Sequence, residues 1–251
     1  MAQFVLVHGA WHGGWCWRDV VQQLTAAGHR VYAPTLTGLG ERAHLMSPAI
    51  TLETHIADVR GVIEMEELDD VVLAVHSYAG MIGTAIADRL PQRLRHLVYV
   101  DAVVPKRGES WSSTHASATR EARLAAAQAS PDYSFPPPDP TVYGLKDSQR
   151  QWAMRRQTPH PGHTYQAPLD FDPARVAAVP RTFVSCTQPA LATIDAIRPR
   201  VVDPGFWDGA WLGGGGSRFV ELPTGHDPMI SLPVLLTRIL LDCLAPVEGR
   251  S

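Results

Sequence analysis

Short apolar runs alternate with stretches of helical periodicity along the first hundred residues. The apolar runs lie at residues 4–7, 30–33, 70–75 and 97–100, and the helical stretches lie at residues 17–27, 52–65 and 81–90. The apolar runs are continuous rather than alternating with polar residues, which is typical of strands that are covered on both faces. The pattern predicts the α/β class, with a mostly parallel sheet and helices on both of its faces.

The alternation stops after Asp101 and resumes near residue 182. Residues 105–171 contain helical stretches at 121–127 and 149–156, and this segment is interpreted as an inserted helical lid. Strand-like runs follow at residues 182–184 and 219–222, and an apolar helix closes the chain. Because α/β folds of this length usually form one unit, residues 1–251 are expected to be a single domain.

Composition excludes several classes of protein. With 45% hydrophobic and 19% charged residues the chain is expected to be globular, and its net charge of -3 provides no positive field for nucleic acid or an anionic membrane. The most apolar stretch, residues 71–87, is interrupted by His76 and Ser77, so no membrane segment is predicted. Three widely spaced cysteines favour reduced thiols and a cytoplasmic protein. The oligomeric state is left open.

Ser77 is the candidate nucleophile. It lies between a predicted strand and a predicted helix, where a strained turn can project a serine hydroxyl above a sheet. The usual G-x-S-x-G motif reads V-H-S-Y-A here, and we expect the branched Val75 to push against the following helix near Gly80. The alternative is a serine that only caps the helix.

The glycine-rich loop after the first strand is the candidate oxyanion hole. Residues 8–15 can direct backbone N–H groups at an oxyanion, and we assign this role to the N–H groups of Ala10 and Tyr78. The alternative is a dinucleotide-binding loop. It is disfavoured because G-x-G-x-x-G is absent and no acidic residue for a ribose follows the next strand.

His226 is the candidate base, in the loop after the last predicted strand. A serine, then an acid, then a histidine is the chain order of α/β hydrolases. His8 and His12 are four positions apart, but the glycines between and after them oppose the helix that would align two metal ligands. No metal site is therefore predicted.

Four motifs together resemble the α/β-hydrolase superfamily: residues 4–15, residues 34–42, His76-Ser77-Tyr78, and residues 224–227. Within it the chain is most similar to bacterial esterases of the pyrethroid hydrolase and carbendazim-hydrolysing group, relatives of plant methylesterases and hydroxynitrile lyases. The resemblance implies a Ser-His-acid mechanism, no cofactor, and ester or carbamate substrates.

The position of the triad acid departs from the plant branch, which places it after the penultimate strand where this chain has Pro189. Asp101 is the first candidate, because it ends the strand beside the one that leads to Ser77, a position that some dehalogenase-like relatives use. Asp195 is the second candidate. The remaining alternatives are Asp203, Asp208 or no acid.

The substrate is expected to be a small hydrophobic ester or carbamate ester. Aromatic residues are frequent in the lid and beside the oxyanion loop, and apolar walls around few polar groups suit such a ligand. Trp11, Trp152 and Met154 are expected to contribute to the pocket. One alternative is a slow or non-catalytic ligand-binding protein on the same fold. Another is a hydroxynitrile-type lyase, which is disfavoured because those relatives carry a lysine where this chain has Asp227.

Overall fold

A central parallel sheet organises the computed structural model, which describes residues 1–203, 205–206 and 217–245. Its strands are β1 Gln3–Val7, β2 Arg30–Tyr32, β3 Val71–His76, β4 Leu94–Val100, β7 Arg181–Cys186 and β8 Arg218–Leu222, and a separate antiparallel pair is formed by β5 Ser134–Phe135 and β6 His160–Pro161. The six strands of the sheet lie in the order β2-β1-β3-β4-β7-β8, and every neighbouring pair is parallel.

The helices connect these strands and cover the sheet. They are α1 Arg18–Ala26, α2 Leu52–Met65, α3 Gly80–Arg89, α4 Ser117–Ala129, α5 Asp147–Met154, α6 His163–Gln166, α7 Pro173–Ala177, α8 Arg198–Val202, α9 Pro228–Ser231 and α10 Pro233–Asp242. Helix α1 packs against α10, whereas α3 packs against α2 and α7. Parallel strands need such crossover helices, and the predicted α/β class is confirmed.

The strands form the centre of the hydrophobic core. All residues of β3 are buried, as its continuous apolar run predicts, and all residues of β7 are buried as well, although three of them are polar. Strand β4 begins at Leu94, earlier than the apolar run at 97–100 predicts. The reason is His96, a polar residue that is nevertheless buried, with its Nε2 2.8 Å from the Thr182 hydroxyl on the neighbouring strand.

The segment from 105 to 171 lies between β4 and the helix that precedes β7, and it contains α4, α5, α6 and the β5–β6 pair. Aromatic side chains of the segment pack together: the Trp111 ring lies 4.9 Å from that of Tyr165, and the Phe135 ring lies 5.6 Å from that of Tyr165. Trp111, Phe135 and Tyr165 belong to the same hydrophobic core as the strands of the main sheet.

The carboxyl edge of the sheet collects the candidate functional residues. The loop 8–15 follows β1, Ser77 follows β3, Asp101 follows β4 and His226 follows β8. Because all six strands are parallel, these positions meet at one edge, which is where ligands bind in open α/β sheets.

The three cysteines, Cys16, Cys186 and Cys243, are free and buried. Among the described helices, none has both the length and the apolar character that a membrane crossing requires.

Candidate active site

Ser77 lies on a sharp turn between β3 and α3. Its backbone φ is +54°, in the left-handed region that a non-glycine residue adopts only at an energetic cost. A Cβ at Gly80 would lie 1.8 Å from the Val103 carbonyl oxygen, so the helix can begin this close to its neighbour only with glycine at that position. The turn has the strained geometry that a strand-to-helix nucleophile position requires.

Val75 is accommodated differently from the prediction. A Cβ at Gly83, not Gly80, would lie 2.8 Å from both methyl carbons of Val75. The expectation that Val75 pushes against the helix near Gly80 is therefore wrong. The branched side chain points to the next turn of α3, where the absence of a side chain at Gly83 leaves room for it.

His226 and Asp101 form a buried hydrogen-bonded pair. The His226 Nδ1 lies 2.7 Å from Asp101 Oδ2, and the two residues are 2% and 0% exposed. The carboxylate accepts this hydrogen bond, so Nδ1 carries the proton and Nε2 keeps a lone pair. An imidazole held in this tautomer can accept a proton at Nε2.

The other oxygen of Asp101 is also engaged. Asp101 Oδ1 accepts a hydrogen bond from the Cys186 N–H at 3.2 Å and one from Arg198 Nη2 at 3.0 Å. Asp101 itself has φ of +42°, and its N–H donates to the Val184 carbonyl. These contacts fix the carboxylate in position and orientation.

The alternative acids lie elsewhere. Asp195 is on the surface, with its side chain 64% exposed, and accepts a hydrogen bond from Arg198 Nη1 at 2.6 Å. Asp203 is exposed and accepts the Gly205 N–H. Asp208 lies outside the described residues. Of the aspartates considered from the sequence, the structure brings Asp101 to His226.

The loop after β1 lies directly against the nucleophile turn. A Cβ at Gly9 would lie 2.7 Å from His76 Nδ1 and 2.8 Å from the Ser77 Cβ, so this approach requires glycine. The N–H of Ala10 is not used in a hydrogen bond to any other described residue. The N–H of Tyr78 lies in the first turn of a short helix, where backbone donors lack intrahelical partners.

A cavity of about 190 Å³ contains both Ser77 and His226 on its wall. Its other walls include Trp11, Trp111, Arg123, Tyr143, Leu191 and Ile194. Trp11 is therefore where the sequence predicts it, and the segment from 105 to 171 supplies three of these residues. Sequence reasoning did not identify Arg123, because an arginine on an amphipathic helix has no local feature that distinguishes it from a solvated one.

Trp152 and Met154 are not part of this cavity, which corrects the prediction. Helix α5 lies on the outer side of the molecule, and the Trp152 ring packs 4.9 Å from that of Trp15 and borders a different cavity beside Arg18. Met154 is 48% exposed. Residues two positions apart lie on roughly opposite faces of a helix, so Trp152 and Met154 could not both face one pocket from α5.

A second buried cluster lies beside the His226–Asp101 pair. Asp227 is fully buried, with Oδ2 3.3 Å from His12 Nε2 and Oδ1 3.5 Å from His76 Nε2. Burial alone would lower the pKa of His12 and raise that of Asp227. Their mutual attraction outweighs this effect, so the pKa of His12 is raised and that of Asp227 is lowered. The attraction stabilises the charged forms of both side chains.

Potential metal ligands occur in the same cluster. Atoms of His76, His226 and Asp227 lie within 4.8 Å of one another. However, His76 Nε2 donates to the His226 carbonyl at 2.9 Å, and the pKa of His76 is lowered, first by burial and then by His226. That nitrogen therefore carries a proton and has no lone pair for a metal ion.

Comparison with known proteins identifies relatives over nearly the whole chain or over part of it. The carbendazim hydrolyzing esterase of Nocardioides sp. strain SG-4G is 40% identical over 241 residues, which cover 93% of this chain and 96% of that protein. Methylesterase 7 of Arabidopsis thaliana is 36% identical over 105 residues, covering 41% of this chain and 40% of that protein.

Solved structures agree with the fold. An extracellular α/β-hydrolase from a Paenibacillus species superimposes with a TM-score of 0.79 at 21% identity, covering 97% of this chain and 99% of that one. The pyrethroid hydrolase PytH superimposes with a TM-score of 0.71 at 21% identity, covering 98% and 99%. The resemblance inferred from the four motifs is confirmed. A model of the alpha/beta hydrolase family also matches residues 4–238, and the chain belongs to that family.

Proposed function

We propose that this chain is a serine esterase that cleaves a carboxylic ester or a carbamate ester through an acyl-enzyme. The observation that carries the proposal is that Ser77, on its strained turn, and His226, held by Asp101, line the same cavity. The 40% identical relative is named as an esterase that hydrolyses carbendazim, which supports the same class of reaction.

In the proposed mechanism Ser77 Oγ attacks the carbonyl carbon while His226 Nε2 accepts the hydroxyl proton. The electron pair of the carbonyl moves to its oxygen, and the N–H groups of Ala10 and Tyr78 stabilise that oxyanion. When the tetrahedral intermediate collapses, His226 gives the proton to the leaving alcohol. Water then attacks the acyl-enzyme with His226 as the base, which releases the acid and restores Ser77.

Asp101 supports each of these steps without touching the substrate. Its hydrogen bond to His226 Nδ1 keeps the imidazole in the tautomer that accepts a proton at Nε2, and its charge stabilises the imidazolium that forms. Asp101 is a positioning residue in this scheme.

Residues 105–171 are proposed to act as the lid of a single hydrolase domain. This proposal is supported by the walls of the cavity, to which the segment contributes Trp111, Arg123 and Tyr143. Aromatic walls favour a substrate with hydrophobic parts. We also propose a cytoplasmic location, which the three free thiols support.

The test is hydrolysis of p-nitrophenyl acetate. The wild-type protein is expected to release a burst of nitrophenolate followed by steady turnover, and Ser77→Ala is expected to lower kcat by about 10⁴-fold or more. Ser148→Ala removes an exposed hydroxyl away from the cavity and serves as the matched control. Equal activity of the wild-type protein and Ser77→Ala would contradict the proposal, and a burst without turnover would indicate the ligand-binding alternative.

A further inference from the structure

Arg123 of α4 lies among aromatic rings on the wall of the catalytic cavity. Its guanidinium carbon is 5.0 Å from the centre of the Trp111 ring, 5.2 Å from that of Trp11 and 5.4 Å from that of Tyr165. Stacking of this kind holds a guanidinium in place and compensates for part of its lost hydration. The charge therefore has a fixed position beside the site of the proposed reaction.

The charge of Arg123 has no carboxylate partner among the residues that the structure describes. Its Nη1 lies 3.2 Å from His115 Nδ1, and it also contacts the Tyr165 hydroxyl. Burial, and then the charge of Arg123, lower the pKa of His115 to about 3, so this imidazole is a neutral acceptor. Two other partly buried arginines differ: Arg198 pairs with Asp101 and Arg200 pairs with Glu109.

A hydroxyl without an acceptor lies on the same wall. Tyr143 is 4% exposed, and its hydroxyl has no hydrogen-bond partner within the described part of the chain. Arg123 and Tyr143 both line the catalytic cavity. A partly buried charge without a counter-charge and a buried hydroxyl without an acceptor are both costly unless a ligand completes them.

The position of Arg123 also suits a ligand that extends outward. Arg123 lines a second, more open groove of about 300 Å³, and Trp11 and Pro138 border both this groove and the catalytic cavity. Arg123 thus lies between the catalytic cavity and the outer groove. Of the described residues that line the catalytic cavity, none is an aspartate or a glutamate.

We propose that Arg123 binds a carboxylate of the substrate, so that the enzyme acts on esters that carry a free carboxylate at the end opposite the scissile bond, such as half-esters of dicarboxylic acids. The aromatic walls then contact the hydrocarbon chain between the two groups. The proposal rests on the proposed esterase function and specifies its substrate. A substrate that ends in a cation is excluded, because Arg123 already occupies the aromatic site.

The test compares two esters of equal chain length. Mono-p-nitrophenyl glutarate carries the carboxylate, p-nitrophenyl pentanoate lacks it, and succinate and adipate half-esters vary the reach. In Arg123→Met, the ratio of kcat/KM for the half-ester to that for the neutral ester is expected to fall about 10- to 100-fold, the usual effect of losing a charge-assisted hydrogen bond. Arg123→Lys keeps the charge without the planar fork, and its ratio is expected to lie between those of the wild-type protein and Arg123→Met.

Arg155→Met is the matched control, because it removes an exposed arginine from the same segment. It is expected to leave the ratio unchanged. The proposal is overturned if Arg123→Met changes the ratio less than twofold, or if it reduces both activities equally, as a purely structural role of Arg123 predicts. Failure of the wild-type protein to hydrolyse either ester would instead overturn the proposed function.

Discussion

At the scale of single residues, Asp101 explains how a short side chain can hold an imidazole. One of its oxygens bonds His226, and the other accepts from the Cys186 N–H and from Arg198. Because both oxygens are engaged, rotation of the carboxylate would break several hydrogen bonds at once. A buried carboxylate with this many donors keeps its orientation while the charge on His226 changes.

Substitution of the two aspartates bonded to Arg198 separates their roles. Asp101→Asn preserves shape but presents an amide to His226 Nδ1, and the wrong tautomer is expected to lower kcat by about 10⁴-fold. Asp195→Asn is the matched control and is expected to change kcat only a few-fold, because Asp195 contacts Arg198 at the exposed side. The measurement is kcat for p-nitrophenyl acetate with each purified variant. A larger loss in Asp195→Asn would contradict the assignment of Asp101.

At the scale of elements, β3 and α3 fit together through a side chain and a glycine. Val75 is fully buried in β3, and its methyl groups occupy the space above Gly83 in α3. Glycine weakens a helix interior by about 1 kcal/mol relative to alanine. Gly83 brings this cost to α3, and its missing side chain leaves room for Val75, the unusual residue two positions before Ser77.

A double-mutant cycle measures this coupling. Gly83→Ala alone is expected to destabilise the protein, because the new Cβ would lie 2.8 Å from Val75 and 3.1 Å from Leu97. With Val75→Ala in the background, Gly83→Ala is expected to be neutral or stabilising, which gives a coupling energy of about 1–2 kcal/mol. Urea unfolding of the four proteins supplies the free energies. Additive effects would show that the two positions do not compete for space.

The same elements show how far the sequence predicts the fold. Strand β3 is recognisable because its apolar run is continuous, whereas β7 is predicted only over residues 182–184 and β4 is shortened in the prediction by the buried His96. The order of strands along the chain and the crossover helices then imply the parallel sheet. The edge of the sheet at which the carboxyl ends of the strands meet can therefore be predicted from the sequence alone.

The site is predictable only where it is local in sequence. Ser77 and His226 each follow a strand within a short motif, so the chain pattern alone brings both to one edge. Arg198 and Arg123 reach the site from segments that are distant in sequence, and each looks like an ordinary helical arginine. Trp152 and Met154 were misplaced because their aromatic and apolar character was counted without their spacing, which puts them on roughly opposite faces of α5.

At the scale of the whole molecule, buried histidines couple the fold to pH. Six of the eleven histidines have lowered pKa values, with burial as the largest cause. The pKa is about 3 for His8 and His115, about 4 for His55 and His96, and well below the usual value for His76 and His160. These side chains are neutral in the fold, but they take up protons below about pH 6.5 when the chain unfolds.

Stability is therefore expected to fall as the solution is acidified from pH 7 to pH 5. The unfolded chain binds more protons than the fold in this window, so the free energy of unfolding decreases as pH decreases. A histidine with a folded pKa of 4 or less costs about 2 kcal/mol at pH 5, and several such groups together cost several kcal/mol. The His12–Asp227 pair has no such effect here, because the raised pKa of His12 keeps its contribution fully present below the unfolded value.

Urea unfolding at constant ionic strength between pH 5 and pH 8 measures the effect, because the slope against pH gives the number of protons taken up. His96→Gln retains a hydrogen-bonding partner for Thr182 and is expected to reduce the slope by about one proton. His44→Gln removes an exposed histidine and is expected to leave the slope unchanged. A free energy of unfolding that stays constant from pH 7 to pH 5 would mean that the buried imidazoles become protonated without unfolding, contrary to their burial.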